Sequence, residues 1–552
     1  MTTTFQPSKY KNKLIFLPLG GAGEIGMNLN LYHLNGRWII VDLGLGFADI
    51  DLPGSSIIVP NINFILQKIV DKIDAIIITH AHEDHIGAIP YLWPEIKCPI
   101  YTTKFTALII KKKISEHRTC DNLKIIEVEP RINYNIKDFN IELIPMHHSI
   151  PEMHALFIQT TLGNIFHTGD WRFANSVHAD QDDNISCLKK IGKKNILALV
   201  GDSTNVFNQE PARSEHELGL NIAQVINKHE KNLIIITTFA SNVNRLRSIF
   251  AAAKKSKRKV FMLGRSLWRI FNAAQNAGYL LDAEVISEKN IKNFSKNEVL
   301  IICTGCQGEE AAALNKIARN QHPDIKASRN DLVIFSSKII PGNDKKIYKM
   351  YNLLTKAGIK ILHEHNEFVH VSGHPSKKEV QQIYNYIQPQ IAIPVHGESF
   401  HLHEHCRIAK EAKIPNVLQI ANGDVVAIDK NSPNILANVE NGRYAVDGNV
   451  LYEDDHKIFT QRRIMMNNGI FLLDIILKDT RLHKINLSAP GLLDNEEDAD
   501  LLQSIHEDIK MHLGKYLKKD KQIINSLQKF LRKRIRKDLN KFPLITINLY
   551  NV

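Results

Sequence analysis

Cysteine is scarce in this chain of 552 residues, where Cys98, Cys120, Cys187, Cys303, Cys306 and Cys406 are widely spread. Thiols so placed do not make a disulfide framework, which points to a reducing compartment. Aromatic residues are few as well, at 7%, so aliphatic side chains must build most of the core. No stretch approaches the roughly 20 apolar residues that a helix needs to cross a bilayer. No apolar run precedes Leu14 either, so no secretory leader is expected. These absences lead to the expectation of a soluble, cytoplasmic protein with no membrane partner. What is present is a globular composition, 44% hydrophobic and 23% charged, which excludes disordered and collagen-like chains. Lys+Arg exceed Asp+Glu by 70 − 58, a formal charge of +12. That favours an anionic partner without identifying it.

Short apolar runs that end at polar or glycine-bearing loops predict strands at Lys13–Leu19, Trp38–Val41, Asp74–Thr79, Ile141–Pro145, Asn164–His167 and Ile196–Val200. Further strands are predicted at Leu233–Thr238, Lys259–Leu263, Glu298–Cys303, Asp331–Ser336, Ile359–Leu362 and Gln390–Pro394. Helical patterns at Arg213–His229, Asn242–Lys255 and Lys377–Tyr386 lie between them, an alternation that argues for α/β layers. The early part differs, because Asn35-Gly36 between two apolar runs predicts a hairpin. Composition places boundaries near Val200–Gly219 and Asp429–Asn441, with a small α/β unit beyond.

The sharpest chemical signal is His80-Ala81-His82-Glu83-Asp84-His85 directly after an apolar strand. Imidazoles and a carboxylate crowded on one strand-end loop suit zinc, with manganese as an alternative. Other strand ends supply partners: His147-His148, Asp170 and His396. One divalent ion would take His80, His82, His148 and Asp170. A second would take Asp84, His85, Asp170 and His396, with Asp170 bridging through its two oxygens. Spacing alone does not choose between His147 and His148.

This pattern resembles the metallo-β-lactamase superfamily. The gap of 396 − 170 residues before the last ligand resembles the insertion of β-CASP nucleases, and the whole set is most similar to the bacterial ribonuclease J family. The segments that carry the resemblance are Gly20–Asn28, His80–Ala88, His148–Pro151, Gly201–Asn205, Phe239–Val243, Pro341–Asn343, His370–His374 and Pro394–Glu398. The resemblance implies an αββα sandwich with an inserted α/β β-CASP domain and a small C-terminal α/β domain. The implied divisions are 1–205 and 366–430 for the metallo-β-lactamase domain, 206–365 for the insert, 431–450 for a linker and 451–552 for the C-terminal domain. It also implies a metal-dependent ribonuclease, 5′-to-3′ exonucleolytic with endonuclease activity in addition, serving RNA decay and the maturation of rRNA and mRNA. Two Zn2+ ions are expected, with Mn2+ or Mg2+ as alternatives. The partners implied are single-stranded RNA with a 5′-monophosphate and a second or further copies of the chain, docked through the C-terminal domain.

Carried over residue by residue, Asp84 orients the attacking hydroxide, His374 stabilises the phosphorane or protonates the leaving oxygen, and Asp202 orients a histidine. His370, Ser372, Gly373, Ser241, Asn242, Ser336, Ser337, Gly342 and Asn343 are implied to contact RNA or its 5′ end. The chain departs from the family at Cys306, where serine is usual, at His147, where threonine is common, and at Trp171-Arg172.

Several features invite other readings. Gly21-Ala22-Gly23-Glu24-Ile25-Gly26 fits a dinucleotide fingerprint with Asp42 downstream, but the fingerprint needs a helix where a hairpin is predicted. Cys303-Thr304-Gly305-Cys306 fits a redox or zinc pair. His401, His403 and His405 alternate on a predicted helix, which spreads them over different faces. From Lys515 to Lys541 there are eleven Lys+Arg against two acidic residues, either a solvated helix face or an RNA-binding patch. Two rival functions stand beside the nuclease: a glyoxalase II-like hydrolase of a small ester or thioester, and a non-catalytic RNA-binding subunit.

Overall fold

The computed structural model of the chain describes residues 5–48, 50–117, 120, 122–173, 180–479, 481–514 and 520–552. Two compact units result. The first comprises residues up to 46 and 59–442, and the second 47–58 and 443–552.

In the first unit, two mixed sheets stack face to face. One runs in the order Asn434–Asn438, Asp424–Ala427, Ile15–Gly20, Leu29–Leu34, Arg37–Val41, Ile73–Ile77, Ile100–Thr102, Ile125–Glu127. The other runs Asn133–Ile136, Phe139–Pro145, His154–Thr160, Gly163–His167, Ile196–Asp202, Ile391–Val395, Asn416–Val417. Phe16, Val41, Ile77, Leu143, Ile165, Val200 and Ile393 fill the space between them. The outer face of the second sheet is covered by helices Asp180–Gly192, Lys377–Ile387 and Ser399–Glu411, with Phe166, Leu188, Ile383 and Ile408 at the contact. This is the αββα sandwich. The predicted hairpin is present: Leu29–Leu34 and Arg37–Val41 pair antiparallel, with Asn35 and Gly36 both at positive φ as a tight primed turn requires.

Three consecutive strands place the functional residues. Gly163–His167, Ile196–Asp202 and Ile391–Val395 are parallel neighbours, so their carboxyl ends emerge at one edge. Ile196–Asp202 and Ile391–Val395 are buried throughout and mostly aliphatic, as strands covered on both sides must be, while Gly163–His167 is buried from Ile165 onward.

Between the second and third of these strands the chain builds a fully parallel sheet in the order Lys259–Leu263, Val299–Cys303, Ile234–Thr237, Leu332–Phe335, Lys360–Leu362. A capping box at Ser214 and Glu217 starts helix Glu215–Lys228, which packs on Val243–Lys255. Arg245 is fully buried here. Its guanidinium donates to both carboxylate oxygens of Glu215, to the carbonyl and hydroxyl of Ser336, and to the Val369 carbonyl. It thereby ties the insert's sheet to the segment that leads into His370–His374.

In the second unit, Ile470–Lys478 pairs antiparallel with Arg481–Ser488 and parallel with Leu544–Asn551. Helices Ala499–Gly514 and Asp520–Leu539 pack Ile505, Ile509, Leu527, Leu531 and Ile535 against Phe471, Leu473 and Ile475. Of the basic run, 515–519 lie outside the described residues. Arg532, Lys533, Arg536 and Lys537 are exposed, whereas Arg534 pairs with Asp508 and Asp538.

Two expectations need correction. The span 431–450 is not a bare linker: Asn434–Asn438 is an edge strand of the first sheet, and Arg443–Asp447 pairs with Val450–Glu453. Polar residues at a solvated edge hide the alternation that marks a strand. Residues 47–58 also leave the sandwich for the second unit, where Ser55 donates to the Val446 carbonyl. No composition shift announces that excursion.

Breaking a buried, fully hydrogen-bonded ion pair costs about 3–5 kcal/mol. Arg245→Met is therefore expected to lower unfolding free energy by about that amount in urea denaturation. A loss below about 1 kcal/mol would show that the network is not what holds the insert.

Candidate metal centre

The strand Ile73–Ile77 leads into Thr79, and after His80–His82 the chain enters the short helix Glu83–Ile86. That turn folds around Asp42, the last residue of the neighbouring strand's exit. The Asp42 carboxylate accepts from the Thr79 amide at 2.8 Å, from the Thr79 hydroxyl and from His85 Nδ1 at 2.7 Å. Sequence reasoning meets Asp42 only as a false nucleotide-binding acid. Its real place is behind His85, where it fixes the tautomer that leaves Nε2 with a lone pair.

The residues separated in sequence converge. His80 Nε2 and His148 Nε2 each lie 3.1 Å from His82 Nδ1. His148 Nδ1 donates to the Gly373 carbonyl at 2.7 Å, and His80 Nδ1 meets the Thr79 hydroxyl at 3.0 Å. The remaining nitrogens of His80 and His148 thus turn toward a common point. Asp170 Oδ2 closes this group, 3.7 Å from His80 Nε2 and 3.8 Å from His148 Nε2. A second group forms on its other side. Asp170 Oδ2 is 3.3 Å from His85 Nε2, and Asp84 Oδ2 is 3.2 Å from His396 Nε2. One ligand-type atom from each of the four residues in either group lies within 4.8 Å of the others. Asp170 is shared by both groups: its Oδ2 faces His80, His148 and His85, and its Oδ1 faces His396 Nδ1 at 3.1 Å. The adjacent pair also separates: His148 belongs to the cluster, and His147 pairs with Arg172 backbone and lies 3.3 Å from Asn184.

A third grouping, Asp170, Asp202, His374 and His396, is equally tight. It reads as a hydrogen-bond network rather than a cage, because Asp202 Oδ2 accepts from His374 Nδ1 at 2.8 Å while Oδ1 accepts from the Thr204 amide at 2.8 Å. A nitrogen that donates has no lone pair for a cation.

The electrostatics divide the histidines. Burial pulls His80 and His148 well below the ordinary imidazole value, and His82 to about 4. They are neutral donors of lone pairs. Burial acts the same way on His85 and His396, but the carboxylates of Asp170, Asp84, Asp42 and Asp202 overcome it and raise both. His374 is likewise raised, against its burial, by Asp202 and Asp170. Asp84, Asp170 and Asp202 are held below the usual carboxylate range despite burial, by His85, His396 and His374.

The glycine-rich loop pairs with the loop that carries His396. Ala22–Gly23 runs parallel to Gly397–Glu398, and the Gly21 carbonyl accepts from the His396 amide at 2.6 Å. No helix follows the glycines, so the dinucleotide reading is removed. Glu83, the one acid of the His80–His85 run outside the clusters, pairs with Lys113 and faces Arg269 on the insert's helix Arg265–Ala277.

The expected RNA contacts separate into two kinds. His370, Ser372 and Gly373 lie on the segment that wraps the cluster, with the Ser372 hydroxyl accepting from the His374 amide. The buried His370 Nδ1 has no hydrogen-bond partner, and after burial the charges of Arg245, Lys338 and Arg172 depress its basicity. Ser241 stands half-buried just before Asn242, and Gly342 and Asn343 stand at a turn opening helix Asp344–Lys356. Asn242 and Ser336, in contrast, are used inside the fold: Asn242 caps helix Val243–Lys255, and the Ser336 hydroxyl donates to the Val369 carbonyl. Ser337 is buried beside Cys306. Burial pushes the Cys306 thiol up to about 12 and raises Cys303 as well, so neither is a reactive thiolate. His405 is a core residue held between the Tyr384 and Ser203 hydroxyls.

The comparisons with known proteins agree with this geometry. Residues 37–188 match the beta-lactamase superfamily domain, 231–354 the beta-CASP domain of ribonuclease J, and 358–419 the Zn-dependent metallo-hydrolase RNA specificity domain. Ribonuclease J of Sinorhizobium meliloti is 34% identical over 98% of both chains. The chain belongs to the ribonuclease J family. Ribonuclease J of Helicobacter pylori strain B128 is 32% identical over 97% of this chain and 79% of that protein, and Ribonuclease J 1 of Streptococcus pyogenes is 31% identical over 97% and 98%. A solved structure of a protein of unknown function from Enterococcus faecalis V583 shares the fold, with a TM-score of 0.54 at 17% identity over 75% of this chain and 99% of that one.

A Cβ added to Gly373 would stand 2.8 Å from the His148 ring. Gly373→Ala is therefore expected to displace that ring from His82, visible in a crystal structure of the variant. An unmoved His148 would show that the contact is looser than the geometry states.

Proposed function

We propose that this metal-dependent ribonuclease holds two divalent cations, zinc first and Mn2+ or Mg2+ as alternatives, in the two four-residue groups that share Asp170. The supporting observation is the donor set: the neutral imidazoles of His80 and His148, whose outer nitrogens are already committed to Thr79 and Gly373, together with His82, His85 and His396 and the carboxylates of buried Asp170 and half-buried Asp84, which among the described residues have no Lys or Arg paired with them. Such nitrogen and oxygen donors suit Zn2+. When bound, the ions supply Lewis acidity that activates water and neutralises the scissile phosphate.

The chain's own residues do the rest. Asp84 orients the nucleophile beside His396. His374, kept protonated on Nδ1 by Asp202, delivers positive charge and a proton to the leaving 3′ oxygen of RNA. Asp202 acts through His374 as a positioning residue. His370, with Lys338 and Arg172 near it, offers the 5′-phosphate a cationic setting. On this reading the substrate is single-stranded RNA with a 5′-monophosphate, cut mainly 5′ to 3′ with internal cutting in addition, in RNA decay and maturation of rRNA and mRNA in the cytoplasm. The C-terminal unit, 443–552, would join copies into a dimer or tetramer. Nothing in the site favours a small ester or a silent binding subunit.

Asp84→Ala is expected to remove nearly all cleavage of RNA labelled at either end while leaving the circular dichroism spectrum unchanged. Undiminished cleavage would refute the assignment. The same labelled RNAs, with 5′-monophosphate and 5′-triphosphate compared, read direction and end preference.

Metal loading should depend on pH in a signed way. His85 and His396 have raised pKa values and carry protons in the metal-free chain, so cations must displace them. His80, His82 and His148 are already neutral. Elemental analysis is therefore expected to find the His80–His82–His148 group filled at lower pH and the Asp84–His85–His396 group filled only as pH rises. One shared midpoint for both ions would contradict this.

A further inference from the structure

Phe207 and Phe400 are exposed, at 49% and 59%, although aromatic residues are scarce and most phenylalanines of this chain are buried. Their ring centroids stand 5.3 Å apart with 23° between planes, and the His401 ring backs both, 4.0 Å from Phe400 and 5.3 Å from Phe207. Among the described residues, they are the only pair of largely exposed Phe side chains that stack on each other.

Both rings sit on backbone that is pinned to the metal centre. Phe207 follows Asp202, Thr204 and Asn205. Thr204 Oγ1 lies 3.0 Å from His396 Nδ1, and Asn205 Nδ2 donates to the His374 carbonyl at 3.2 Å. The next residue, Asn208, accepts from the Lys377 amide through its carbonyl. Phe400 comes four positions after His396, in the first turn of helix Ser399–Glu411, just after Gly397–Glu398 pairs with Ala22–Gly23. The stack is therefore held by the same segments that hold Asp202, His374 and His396. Cationic charge is near as well, since Lys338 acts on both His401 and His370.

A rigid, half-open pair of aromatic faces beside a phosphodiester-cleaving centre has one natural occupant on this substrate, the face of a base. Stacking is tolerant of sequence because every base has a π-face. We propose that Phe207 and Phe400 form a stacking platform for a nucleobase of the bound RNA next to the scissile phosphate, and so help set its register. This rests on the reading of the centre as an RNA-cleaving site.

The test uses the full chain, its Phe207→Ala/Phe400→Ala variant, and Phe400→Trp as the conservative control. The probe is a short single-stranded RNA carrying 2-aminopurine at successive positions from its 5′ end, bound in chelator so that nothing is cut. Quenching is expected at one position with the parent protein and with Phe400→Trp, and its loss in the double variant. In steady-state cleavage, the double variant is expected to raise KM roughly 5- to 150-fold with kcat little changed, the range that one lost base stack implies. An abasic residue at the quenched position should give the parent the same penalty and the double variant none.

A double variant with the parent's KM and quenching overturns the platform. So does an altered oligomeric state by sedimentation with KM unchanged, which would make the rings a contact between copies of the chain. A parent protein that quenches the probe but cannot cut RNA with metal restored would sink the function assigned to the centre and leave the platform standing.

Discussion

One carboxylate oxygen, Oδ2 of Asp170, sets the terms for the rest of the centre. Burying an anion is strongly unfavourable unless partners replace its water. Here the partners are imidazoles: His85, His80, His148 and His374 nitrogens lie 3.3, 3.7, 3.8 and 4.0 Å away. They arrive from different elements, and each must be held from behind. Asp42 holds His85, Thr79 holds His80, the Gly373 carbonyl holds His148 and Asp202 holds His374. Removing any of these outer partners would leave an imidazole free to turn away from the oxygen it serves. The outer contacts are thus as much part of the centre as the clustered donors.

The backbone meets the same constraint with unusual conformations. His396 and Asp42 both have positive φ, a region that side chains seldom occupy. At His396 the strained turn is fixed by its amide donating to the Gly21 carbonyl, and by Thr204 against its ring. Gly44 allows the backbone of Asp84 to come so near that any Cβ would overlap the Asp84 carbonyl oxygen. Strain and close approach concentrate where the ligand-type residues must face one another.

Much of this is legible in the amino-acid order, because packing alone seldom gathers histidines and carboxylates at the ends of apolar strands. The run His80–His85 and the strand-end positions of Asp170 and His396 carry the centre. Asp42 is not legible: an acid after a strand fits many roles, and only the fold shows that His85 stands 2.7 Å away. Neither are Asn242 and Ser336, whose residue types suit phosphate as well as they suit a helix cap or a buried hydroxyl. Their burial depends on Arg245, a cation that sequence alone would place in solvent. The strand Asn434–Asn438 is hidden for the opposite reason, since a polar edge looks like a loop.

The long insertion explains why the centre is tied to a distant part of the chain. His148 is held by Gly373 across 225 residues, and Asp84 faces His396 across 312. Loop-closure entropy grows only logarithmically, by about 0.6 kcal/mol for each doubling of length. A domain placed between these residues therefore adds little to the cost of bringing them together, provided that its own ends are fixed. Arg245 supplies that fixation, since it grips Glu215 near the start of the insert and Val369 just after its end. The return of the chain then delivers Gly373, His374 and His396 in succession. Capping box Ser376–Glu379 locks this segment in place, with Glu379 also accepting from the Phe173 amide beyond Asp170. The residues that complete the centre, Gly373 against His148, His374 against Asp202 and His396 against Asp84, thus all lie beyond the insert in the chain, and their placement rests on the contacts that fix its two ends.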